Sequence, residues 1–148
     1  MDLIQTLEII LVEDDMGDAE LTIRALKKNK MVNNLVHLND GEDAIDFLFC
    51  QGKYEGRTQS STPRLILLDL RMPGMSGIEV LRQIKDDGRT RHIPVVVLTS
   101  SKENPDIAAC YRLGANSYIV KPVEFENFSR AVTQIGFYWL LLNQPPVE

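Results

Sequence analysis

Cysteine is scarce. The chain has two, Cys50 and Cys110, in separate helix-like segments and without a C-x-x-C spacing. That pattern gives no support to a zinc site or a redox motif, and both residues read as buried free thiols in a reducing cytoplasm. Basic charge is in deficit, with 16 lysines and arginines against 21 aspartates and glutamates, a net charge of −5. A general nucleic-acid binder needs a positive face to release phosphate counterions, so direct DNA binding is not expected. No apolar run is long enough to span a bilayer, and Met1-Asp2 opens with an acid where a signal peptide carries a basic segment. The expectation is a soluble, cytoplasmic protein with no membrane contact. Internal repeats and low-complexity tracts are missing too, and 148 residues of ordinary globular composition imply one domain with a proper core.

What is present is a set of short apolar runs, each ended by polar residues. The central one is Leu65–Leu68, preceded by Arg64 and running into Asp69, with a Met-Pro-Gly turn close behind. A continuous apolar run of this length reads as a strand buried on both faces, as in a parallel sheet covered by helices. Asp69 then stands at the carboxyl end of the strand, the edge where open α/β sheets bind ligands; taken alone it also reads as a turn cap.

In chain order, Leu7–Val12 is a strand broken only by Glu8 and ended by Glu13-Asp14-Asp15. Gly17–Lys28 spaces Ala19, Leu21, Ile23, Ala25 and Leu26 as a helix does, and Lys27, Lys28 and Lys30 suit the negative end of its dipole. After a turn at Asn33-Asn34, Leu35–Leu38 is a short strand, and its His37 reads as structural. Asp40-Gly41 opens a helix with Ala44, Ile45, Leu48 and Phe49 on one face, followed by a long polar loop from Gln51 to Pro63. A third helix starts at Ser76 or Gly77 and ends near Asp87-Gly88. Ile93–Leu98 is a nearly pure β-branched strand that stops at Thr99-Ser100-Ser101. Asn104 as N-cap, Pro105 at the first helical position and Gly114 as stop define the fourth helix. Ser117–Val120 is the fifth strand, ended by Lys121-Pro122, and Glu124–Asn143 is the last helix. Strands alternating with helices imply parallel strands and right-handed crossovers, hence a doubly wound α/β sheet of five strands. All five carboxyl ends then share one edge.

That edge gathers Glu13, Asp14, Asp69, Thr99 and Lys121. Carboxylates from two strands repel unless protons or a cation relieve them. A hard divalent ion such as Mg²⁺ does so with one or two carboxylates, waters and a phosphate oxygen. Lys121 adds a mobile cation and Thr99 a hydroxyl donor, enough to hold one phosphoryl group, with Asp69 as the candidate nucleophile.

These residues carry a resemblance. The acidic pair Glu13-Asp14, Asp69 in LLDLRMPGMSG, Thr99 in VVVLTS, Tyr118, and Lys121 before Pro122 together resemble the receiver domain of two-component response regulators, over nearly the whole chain. The resemblance implies a flavodoxin-like (βα)5 fold and a switch phosphorylated on Asp69 by a histidine kinase. It implies Mg²⁺ held by Asp14, Asp69 and the backbone carbonyl of Arg71, with Glu13 acting through water. It implies a cis Lys121–Pro122 peptide, a Thr99 hydroxyl that turns toward the phosphoryl group, and a Tyr118 that swings inward. Such a domain catalyses its own phosphotransfer and dephosphorylation without being a conventional enzyme, and Arg71 and Ser101 occupy the variable positions that tune the latter. Two rivals fare worse. A haloacid-dehalogenase-type hydrolase needs an acid two residues after its nucleophile, where this chain has Arg71, and a flavodoxin needs a phosphate cradle where Glu13-Asp14-Asp15 would repel one.

The last helix carries a core stripe of Phe125, Phe128, Val132, Ile135, Trp139 and Leu142, with Phe137, Tyr138, Leu140 and Leu141 outside it. A helix apolar on more than one face at the end of a domain implies an interface, most simply a symmetric homodimer. The expected organisation is a single receiver domain over 1–148, with a core of 5–143, a tail of 144–148 and no output domain, signalling through a partner protein. The long loop, the HIPVVVLTSS stretch and the aromatic tail resemble the small regulators partnered with phytochrome-type histidine kinases. The alternative is a receiver-like interaction module that is never phosphorylated.

Overall fold

The computed structural model describes residues 8–27, 34–57, 63, 65–100, 105–124, 126, 127 and 130. Five strands alternate with four helices: β1 (Glu8–Val12), α1 (Met16–Lys27), β2 (Asn34–Leu38), α2 (Gly41–Leu48), β3 (Leu65–Asp69), α3 (Gly77–Asp86), β4 (Val95–Thr99), α4 (Pro105–Leu113) and β5 (Ser117–Val120). The strands form one parallel sheet in the order β2-β1-β3-β4-β5. This is the flavodoxin-like arrangement. Its strand order reverses between β1 and β3, which opens a crevice at their carboxyl ends.

Alternation along each strand sends side chains to opposite faces. Ile10, Val12, Ile66, Leu68, Val95 and Val97 pack with Ala44 and Leu48 of α2, Val80, Leu81 and Ile84 of α3, and Cys110 of α4. Ile9, Leu11, Leu65, Leu67, Val96, Leu98 and Ile119 form the opposite layer with Ala19 and Leu26 of α1. Both faces are covered, and this is why β3 and β4 are apolar at nearly every position and buried throughout.

Helix starts and stops follow local chemistry. Asp40 caps α2 by accepting from the Asp43 amide at 2.8 Å, and Ser76 caps α3 by accepting from Glu79 at 3.3 Å. Gly114 ends α4 at φ +109°, backbone that a side chain disfavours. The fourth strand begins two residues later than the β-branched run, since Ile93 and Pro94 precede it. Leu21, read as part of the apolar face of α1, is 54% exposed, while Thr22 beside it is buried. The polar loop from Gln51 opens with a 3-10 turn at Gly52–Tyr54. This turn lays the Tyr54 ring edge-on against Phe47, centroids 5.1 Å apart, and Arg57 covers the Phe47 ring at 3.8 Å. Leu7, Lys28, Lys30, Asn33, Ser101, Asn104, the middle of the polar loop and nearly all of the last helix, including its aromatic stripe, lie outside the described residues.

Candidate functional site: an acidic pocket at the switch point

Register builds the site. Val12 of β1 pairs with Leu68 of β3, so Glu13 and Asp69 follow side by side. Asp69 pairs with Leu98, and Thr99 with Val120, which brings Thr99 and Lys121 to the same edge. The Lys121 amide donates to the Thr99 carbonyl at 2.7 Å, and the Lys121–Pro122 peptide is cis.

The carboxylates of Glu13, Asp14 and Asp69 each offer an oxygen within 4.8 Å of the others. Glu13, Asp69 and Thr99 are buried, Asp14 half-buried and Arg71 exposed. Lys121 Nζ lies 2.8 Å from Glu13 Oε1, 3.1 Å from Asp18 Oδ2 and 3.4 Å from Asp69 Oδ1. The contact to Glu13 is the shortest of the three and pairs the ammonium with a buried carboxylate. Its other oxygen, Oε2, accepts from the Asp15 amide at 3.3 Å. The Arg71 amide donates to Asp69 Oδ1 at 3.4 Å, which ties the turn after β3 to the acid.

Electrostatics follow from this crowding. Burial pushes Glu13 up, Lys121 pulls it down, and Asp69 raises it again, to about 7. Burial works against charge on Lys121, but Glu13, Asp69 and Asp18 outweigh it and hold the ammonium above its ordinary range. Three carboxylates with oxygens within 4.8 Å of one another, two of the side chains buried and only one ammonium among them, fit a hard cation better than protons or water alone.

Glu13, Asp14, Asp69 and Lys121 are thus brought together, with Thr99 at the next strand end. Tyr118 stands apart. It is 37% exposed on the α4 side of β5 and meets Tyr111 edge-on, centroids 6.0 Å apart. His37 has a structural partner, its Nε2 lying 2.7 Å from the Glu13 carbonyl and donating to it. Two acids carry roles that spacing did not reveal. Asp15 accepts from the Asp18 amide at 2.9 Å as a cap on α1, and Asp18 binds Lys121. An acid in the first turn of a helix reads as a dipole partner, so the only available signal pointed elsewhere.

Fold and site together define a class: a doubly wound α/β domain with a cation-binding acidic pocket at its switch point. Residues 9–133 match the family model for the response regulator receiver domain. The chain is 44% identical over 138 residues to "Probable methanogenesis regulatory protein FilR2" of Methanothrix harundinacea, covering 93% of this chain and 86% of that one. Among solved structures it is similar to the bacteriophytochrome response regulator AtBRR, at 45% identity and a TM-score of 0.81, covering 93% of this chain and 97% of the other. It is also similar to the Mn²⁺-bound form of the response regulator Rcp1, at 36% identity and a TM-score of 0.72, over 96% and 99% of the two chains. The chain belongs to the response regulator receiver domain family. Phosphorylation-activated two-component signalling is the function of that family, and a histidine kinase is the partner it implies.

Proposed function

We propose that Asp69 is the phosphoacceptor and that the pocket around it performs the transfer. The observation that carries this reading is the position of Lys121 Nζ, within ion-pair distance of both Glu13 and Asp69 at the switch-point edge. A carboxylate oxygen of Asp69 forms the new O–P bond as the P–N bond to a donor imidazole breaks and its electron pair returns to the ring nitrogen. Lys121 and the Thr99 hydroxyl hold the phosphoryl oxygens. Glu13, Asp14, Asp69 and the backbone carbonyl of Arg71 hold Mg²⁺, and the chemistry it supplies is neutralisation of crowded negative charge. Thr99 and Tyr118 form the switch: Thr99 turns toward the phosphoryl group and Tyr118 moves in from its exposed position against Tyr111.

We assign the kinase to the phytochrome type, a reading supported by likeness to the bacteriophytochrome regulators, and place the protein in the cytoplasm with it. The domain organisation follows the sequence reading, one receiver domain over 1–148. The apolar residues of 124–143 that fall outside a single helical stripe in the sequence support a homodimer.

The test is intact mass after incubation with Mg²⁺ and acetyl phosphate, for wild type and Asp69→Asn. One added phosphoryl group, lost in the variant or on chelation, is expected. An unmodified wild type, even with beryllofluoride offered as a mimic, would leave the unphosphorylated interaction module in its place.

A further inference from the structure

The Lys121 ammonium has three hydrogens and three carboxylates around it. Two of those side chains are almost wholly buried, Glu13 at 1% exposure and Asp69 at 7%, whereas Asp18 is 44% exposed. Asp18 nevertheless takes an aligned hydrogen bond from Nζ at 3.1 Å, while the approach to Asp69 is the longest of the three at 3.4 Å. Its place is fixed by the first turn of α1, where its own amide is held by Asp15 Oδ1. The lysine, closest to the buried Glu13 at 2.8 Å, is therefore shared between the floor of the pocket and the first turn of α1, with Asp69 the most distant of its three acids.

We propose that Asp18 is a positioning residue for the phosphoryl site: it holds Lys121 at the first turn of α1 while Asp69 is unmodified and releases it to a phosphoryl group on Asp69. This rests on the phosphoacceptor reading above. Release is inexpensive for a physical reason. A half-exposed carboxylate regains water when its partner leaves, whereas Glu13, fully buried, would be left as an uncompensated charge. The incoming group carries close to two negative charges against one on Asp18, so it wins the ammonium at equal distance. Asp18 thus competes with the phosphoryl group and sets how tightly the site holds it.

The experiment is calorimetric titration with beryllofluoride in saturating Mg²⁺ for wild type, Asp18→Asn, Asp18→Glu and Glu20→Gln. Each is run at low salt and at about 0.5 M salt, where charges beyond a Debye length are screened. Glu20 lies on the same helix, paired with Arg24 and away from the pocket, so it reports the effect of a lost charge alone. Asp18→Asn should tighten the mimic by about two- to five-fold, the scale of a half-exposed ion pair, and keep that gain in high salt. Asp18→Glu should restore wild-type affinity, and Glu20→Gln should match wild type once salt is added. The Lys121 ammonium resonance of the metal-free protein should shift in Asp18→Asn and not in Glu20→Gln. Unchanged or weaker binding in Asp18→Asn, or an equal gain in Glu20→Gln at high salt, overturns the inference while leaving the phosphoacceptor reading intact. A wild type that takes neither mimic nor phosphoryl group overturns both.

Discussion

At Lys85, burial and hydrogen bonding pull on one ammonium in opposite directions. Nζ donates to the carbonyls of Ile93 at 2.8 Å and Arg91 at 3.1 Å, contacts that favour the charged form. Burial is the stronger influence and pushes the group from 10.5 down to about 8. The nearby His92 is lowered as well, by its own burial and by the Lys85 charge. Between about 8 and the unfolded value, the unfolded chain holds a proton that the folded chain lacks. Stability gained from Lys85 therefore rises with pH across that window and is absent below it. Lys85→Met should flatten this rise, read as the difference in urea midpoint between pH 8 and pH 10 for the two proteins. Equal slopes would show that Lys85 titrates normally.

The connection from β3 to α3 shows how an element positions chemistry. A Cβ on Gly77 would lie 2.2 Å from the Asp69 carbonyl oxygen and 2.7 Å from Leu70 Cα, both backbone atoms that cannot step aside. Only glycine lets the helix start this close to the end of the strand. Gly77→Ala should cost at least about 1–3 kcal/mol by overpacking and, because it pushes on Asp69, should also slow phosphoryl uptake. Asp40→Ala removes the cap of α2, a residue outside the carboxylate cluster. It should cost about 1 kcal/mol, or about 2–4 °C in melting temperature, and leave uptake unchanged. Melting curves beside a phosphorylation time course separate the two outcomes. Equal uptake in both variants would mean that the contact at Gly77 is purely structural.

For the whole molecule, three carboxylates that repel in the metal-free state make folding and cation binding interdependent. At a hundredfold excess of Mg²⁺ over its dissociation constant, the protein should gain about 2.7 kcal/mol, reversed by chelation. Asp69→Asn should gain less, and an equal gain in the variant would place the cation elsewhere. Among the described residues no helix is long and apolar enough to cross a membrane. The homodimer reading rests on the last helix: sedimentation equilibrium should show self-association that rises with concentration, and a monomer at every concentration, phosphorylated or not, would remove it.

The sequence by itself determined the alternation of strands and helices, the strand ends that carry Asp69 and Lys121, and the helix limits marked by Asp40, Ser76 and Gly114. These are local signals. An apolar run buried on two faces, a capping oxygen and a glycine stop each depend on neighbours a few residues away. Only the tertiary structure decided that Asp18 shares Lys121, 103 residues along the chain. It alone turned Leu21 outward with Thr22 inside, and covered Phe47 with Tyr54 and Arg57. Each of these depends on which helix face meets the sheet and which loop folds back, and that choice is made by packing between segments whose order along the chain carries no record of the contact.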